Sequence, residues 1–178
     1  MFGSLFVRDA AMMVVIFGVA GFVWFGWGQE DPPRRWRAPL GVGAGVGVLV
    51  AAAGGLLAWR HWGPDSVFAA QETRRAFGIV TGIEFGAATL GAVILVLRKK
   101  ARWISTWICL VVGVHFYPLA RILHDSGLLV LATVMTLVAV FSATLSRRFD
   151  LHPSTLVGAA AGTALLLYAV RCAIVVLV

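Results

Sequence analysis

The chain has 178 residues, of which 60% are hydrophobic and only 13% charged, and its mean hydropathy is +0.91. Composition this apolar lies well above that of ordinary soluble domains and reads as an integral membrane protein. The formal net charge of +7 does not imply nucleic acid as a partner, because most Lys and Arg flank apolar segments, where they act as orientation signals, and no soluble basic domain is present to hold a duplex.

A helix rises about 1.5 Å per residue, so about 20 apolar residues cross a hydrocarbon core of about 30 Å. Six segments have that length and polarity: 10–28, 38–59, 77–97, 103–122, 128–146 and 155–178. The expected fold class is therefore an all-α, polytopic six-helix transmembrane bundle, organised as one domain over residues 1–178. No linker of interdomain size divides it.

The N-terminal stretch MFGSLFVRDAAMMVVIFGVAGFVWFGWG is a poor signal peptide. Its one basic residue is balanced by Asp9, its apolar run is too long, and no small-residue cleavage pattern follows before Gln29. Between segments one and two, Pro32 and Pro33 forbid a continuous helix and predict a turn at the membrane surface. Segment two carries Gly41, Gly43, Gly45, Gly47, Gly54 and Gly55; segment three repeats the spacing at Gly78, Gly82 and Gly86, and segment six at Gly158 and Gly162. Helices associate in lipid by close backbone approach, so these glycines predict tight packing, within the bundle or in a homo-oligomer. The simpler alternative is that Gly is common in membrane spans.

Gly63-Pro64-Asp65-Ser66 predicts a turn, with Ser66 capping a short helical lead into segment three. The cationic run RKKAR at 98–102 is most simply a solvated connection, with contact to lipid headgroups as the alternative. Trp24, Trp27, Trp59, Trp62, Trp103 and Trp107 fall at or near predicted helix ends, where indole prefers the headgroup boundary. Loops one, three and five hold Arg34, Arg35, Arg37, Arg98, Lys99, Lys100, Arg102, Arg147 and Arg148, against Arg8, Arg60, Arg74, Arg75 and Arg121 on the other side. This asymmetry predicts those loops in the cytoplasm and both termini outside, in a plasma or inner membrane.

One carboxylate, Glu84, lies inside segment three, and an acid at that depth must be paired, protonated or wetted. Glu84 lies seven residues below Phe77, Arg171 seven before the end of segment six, and His115 seven before Ile122, each about 10 Å from the termini side at 1.5 Å per residue. Equal depth predicts a polar pocket with Glu84, His115 and Arg171 at its floor and Tyr117, Arg121 and Tyr168 on its walls. Each member has a plainer reading. Arg171 is near enough to its helix end to snorkel, Glu84 could lock the fold by pairing with Arg171, His115 could be a packing residue, and Arg121 with Asp125 could be a surface ion pair. Pro118 removes an amide and frees the carbonyl of Val114 beside His115, predicting a kink there. Cys109 and Cys172 lie on the order of 18 Å apart in depth, too far for a disulfide, and read as small packing residues.

No HExxH, paired CxxC, GxSxG or P-loop is present, and only His115 is deep enough to approach a haem. The reading is of a protein with no metal or cofactor that uses the pocket to bind or transport a small solute. Arg171 or Arg121 would hold an anionic group, and Glu84 with His115 would carry a proton. Two other classes fit the same residues. One is an integral-membrane enzyme acting on lipid or isoprenoid substrates; the other is a partner-binding membrane subunit. Membrane lipids are the expected partners in every case.

Overall fold

The computed structural model describes residues 6–178; residues 1–5, the start of the stretch weighed above as a leader, lie outside the described residues. All regular structure among the described residues is helical. The helices are α1 (Val7–Trp27), α2 (Arg34–Arg60), α3 (Gln71–Leu97), α4 (Ile104–Ile122), α5 (Gly127–Phe149) and α6 (Pro153–Leu177), and each belongs to a segment long and apolar enough to cross a bilayer. The fold is an all-α six-helix membrane bundle. Several helices outrun the apolar segments that mark them: α2 begins in the arginines 34–37, α3 in the polar run from Gln71, and α5 ends beyond Arg147. Hydropathy registers only the hydrocarbon layer, whereas the backbone hydrogen-bond ladder continues through the headgroups.

The breaks follow local chemistry. Pro33 is the N-cap of α2, and the Ser66 hydroxyl accepts the Phe68 amide at 3.1 Å to start a single 3-10 turn at Val67–Ala69. α4 runs through Pro118 as one helix. The ends of α3, α4 and α5 share one device: the first or second residue after the helix turns left-handed, at Lys99 (φ 56°), His124 (φ 53°) and Asp150 (φ 50°). The following amide then bonds back across the last turn, from Lys100 to Leu95, Asp125 to Ala120 and Leu151 to Ser146, at 2.8 to 3.0 Å. Glycine usually fills this position, so hydrophobic pattern alone gives no warning of it.

α6 is the hub, in contact with α1, α2, α4 and α5. α1 lies between α2 and α6, and α4 and α5 pack as an antiparallel pair. Close approach depends on particular glycines. A side-chain carbon at Gly47 would fall 2.6 Å from the Phe22 amide nitrogen, at Gly54 2.7 Å from that of Val15, and at Gly158 2.5 Å from the Trp24 carbonyl. These positions join α2 and α6 to α1. The core between α1, α4, α5 and α6 is filled by Val14, Phe17, Phe116, Met135, Leu165 and Tyr168, with the Phe17 ring edge-on to Tyr168 at 4.6 Å. Cys109 and Cys172 are both free and buried there.

α3 departs from this pattern. It has no buried residue, and α4 is its extensive neighbour among the long helices. Gly78, Gly82 and Gly86 face open space, as do Gly41, Gly45 and Gly55 of α2, so the tight packing expected of the α3 glycines is not made within this chain. Its contact with α4 instead uses Gly91, which lies under the Trp107 indole, whose Nε1 donates to the Ala87 carbonyl at 3.1 Å.

These environments predict opposite outcomes for one substitution. Gly158→Ala forces a methyl into the α1 backbone and should cost about 1–3 kcal/mol, whereas Gly82→Ala meets nothing and should be neutral or slightly stabilising. Thermal unfolding of the two variants in one detergent measures the difference.

Candidate functional site

Two helices bring Glu84 to His115. Thr81, Glu84, Ala87 and Gly91 recur at helical spacing on the side of α3 that meets α4. From α4, His115 presents Nε2 to the Glu84 carboxylate at 3.2 Å, with side chains only 12% and 15% exposed respectively. The other ring nitrogen decides the chemistry. Nδ1 lies 3.0 Å from the Val112 carbonyl, which is an acceptor only, so Nδ1 carries a proton. A second proton, shared between Nε2 and the carboxylate, makes either an ion pair or a neutral acid beside a neutral imidazole. Either arrangement makes a direct Nε2–carboxylate hydrogen bond. Thr81, one turn away on α3, keeps a buried hydroxyl without a hydrogen-bond partner.

The second polar cluster sits where α4 turns into α5. Asp125, only 2% exposed, uses Oδ1 to accept the Gly127 amide at 2.8 Å, which fixes the start of α5 and sets a negative charge at its positive end. Its Oδ2 accepts from Arg171 Nη1 at 2.9 Å and from the Tyr168 hydroxyl, both of α6. One carboxylate thus ties α4, α5 and α6. The Arg171 guanidinium rests over the Tyr168 ring at 5.4 Å and against Gly127, where any side-chain carbon would meet it at 2.7 Å.

The six residues expected around one pocket therefore have different immediate partners. Glu84 and His115 meet on α3 and α4, while Arg171 and Tyr168 meet Asp125. The depth argument placed Arg171 level with Glu84, but its long side chain reaches to the α4–α5 turn, as a snorkelling cation does. Tyr117 donates to Thr133 of α5 at 3.1 Å, since the Thr133 hydroxyl is itself donating to the Leu129 carbonyl. Arg121 is exposed and has no ion pair among the described residues, because Asp125, its expected partner, is engaged by Arg171. No three His, Cys, Asp or Glu side chains among the described residues are grouped to hold a metal.

Sequence reasoning missed Asp9. Buried in the first turn of α1, it accepts the Ser66 hydroxyl and the Val67 amide, each at 2.7 Å, while Arg8 donates to the Gly63 carbonyl at 2.8 Å and lies 4.9 Å from the Trp62 ring. The pair staples the α2–α3 loop across the termini side of the bundle. An RD pair at the start of an apolar helix, facing a loop with a capping serine, was the available signal.

The sequence matches no protein-family model, and no curated protein or solved structure matches it.

Removing a charge from either carboxylate hub should be felt in stability. Asp125→Asn weakens three charge-assisted bonds and should cost about 2–3 kcal/mol; Asp9→Ala, which strands the Ser66 hydroxyl and the Val67 amide, should cost about as much. Arg121→Gln, at an unpaired surface group, should stay within about 0.5 kcal/mol of the parent. Chemical unfolding in mixed micelles ranks the three.

Proposed function

We propose that this membrane protein binds or moves a small solute on the side of the termini, and that Glu84 and His115 carry the proton that accompanies it. The observation that supports this reading is the contact between His115 Nε2 and Glu84, with Nδ1 already committed to a backbone carbonyl. A proton added to or taken from the pair changes the charge at the α3–α4 seam, and a net charge there is costly in hydrocarbon. The seam is also where the bundle is most lightly held, because α3 has α4 as its extensive neighbour. Proton exchange at the pair is thereby linked to the fit of α3 against α4. Arg121, exposed and unpaired, is the cation available to an anionic solute at the mouth, and Tyr117 is its neighbour one turn inward.

Proteoliposomes enclosing a pH-sensitive dye test this reading. After a pH step and addition of a panel of small organic anions, the parent protein should move protons with one class of solute. Glu84→Gln and His115→Gln should each slow that movement about 100-fold while leaving the protein folded in gel filtration. Parent rates in both variants would exclude the mechanism.

A second reading, a subunit that docks on another membrane chain or on a second copy of itself, is favoured by the open glycines Gly78, Gly82 and Gly86 on a helix with no buried residue. Gly82→Leu should abolish a docked complex seen by cross-linking in native membranes. Under the transport reading, the same substitution leaves flux intact.

A further inference from the structure

At the end of the bundle opposite the termini, the α1–α2 loop, the 3-10 turn Ala101–Trp103 before α4, and the α5–α6 turn surround two cavities. The larger, about 490 Å³, is lined by Asp31, Pro32, Pro33, Arg102, Asp150, Leu151 and His152. The smaller, about 230 Å³, shares Arg102, Asp150 and Leu151 with it and adds Trp103, Ser146 and Arg147. Together they form one cleft whose cations and anions are unevenly placed. Arg102 and Asp150, both exposed, line both ends, while exposed Arg147 adds a second cation at the small end and exposed Asp31 a second anion at the large end. None of these four side chains makes an ion pair within 4.0 Å among the described residues.

Four exposed charges of both signs share a cleft without pairing with one another, so an occupant of one sign would match only half of them. A phosphate alone would face the two carboxylates, and a simple amine the two guanidiniums. A zwitterion with a phosphate at one end and a hydrogen-bonding ammonium at the other satisfies all four. The cleft also lies at the level of the helix ends, beside the Trp103 indole, over which Arg102 is placed at 5.5 Å. Headgroups crowd that level of a bilayer, and indole and arginine favour it.

We propose that this cleft binds the phosphoethanolamine headgroup of a membrane lipid, its phosphate on Arg102 and Arg147 and its ammonium on Asp31 and Asp150. The site is separate from Glu84 and His115 and stands whether or not they carry protons. It discriminates by hydrogen bonding: a choline headgroup has the same phosphate and charge but no N–H to give the carboxylates, and a glycerol headgroup has no cation.

The test is lipid retention by the purified full chain, read by native mass spectrometry during titration with phosphatidylethanolamine, phosphatidylcholine or phosphatidylglycerol, and with soluble phosphoethanolamine as competitor. Phosphatidylethanolamine should bind about tenfold more tightly than either other lipid. Arg102→Gln with Arg147→Gln should remove its binding. Asp31→Asn with Asp150→Asn should erase the preference over phosphatidylcholine without weakening phosphatidylcholine itself, and asparagine keeps the left-handed backbone at position 150. Equal retention of the three lipids by the parent protein would overturn the proposal without recourse to any variant. So would a preference that survives loss of both carboxylates. Soluble phosphoethanolamine binding as tightly as the lipid would overturn the assignment to a membrane component.

Discussion

A carboxylate among apolar helices must find its counter-charge or its hydrogen-bond donors within the same chain, and the arrangement of this bundle follows from how three of them do so. Asp125 takes its donors from α6 and from the first amide of α5, which fixes the α4–α5 turn against the end of α6. Asp9 takes its donors from the loop between α2 and α3, pinning that loop over α1. Glu84 turns to His115 and so decides which face of α3 meets α4. Apolar packing would tolerate several rotations of each helix about its axis. The carboxylates select one.

The three pairings differ in what they can do. Asp125 and Asp9 have all their listeners in place: each carboxylate oxygen is used, and the surrounding side chains are packed in the core or its cover. They are fasteners. Glu84 sits on α3, which has no buried residue and is otherwise held by the Trp107 indole over Gly91 and by Phe77 and Val80 at the edge of the core, so a change of charge in its pairing with His115 of α4 acts on a lightly held element. Regions of low local contact are where proteins place motion. That contrast separates the Glu84–His115 seam from two structural locks, even though all three began as acids in apolar sequence.

How much of this was legible follows from what each residue type reports. Apolar length located six helices, and Pro32, Pro33 and Ser66 marked real boundaries, because those signals act within a few residues of the chain. Glu84 and His115 met because matched depth on two consecutive, antiparallel helices leaves few other neighbours. Arg171 did not join them, since depth measured at the backbone ignores a side chain long enough to reach the next turn. The glycine spacing on α3 matched that on α2, yet only some of the α2 glycines are buried against a neighbour. Spacing tells where a close approach is allowed; rotation and helix order tell where it happens, and a single sequence carries neither. The surface cleft was equally hidden, because its walls come from three loops far apart in sequence.

The seat of α1 on α6 has a consequence for biosynthesis. The hairpin of α1 and α2 can close as soon as both are in the bilayer, but Gly158 meets Trp24 and Gly28, and Thr155 donates to the Gly28 carbonyl at 3.2 Å, from a helix made after the other five. Until α6 leaves the ribosome, the early hairpin presents an open, glycine-lined flank to the lipid. Nascent chains stalled before residue 153 would thus be the species most exposed to quality-control proteases, and release of the sixth helix is the step that ends that vulnerability.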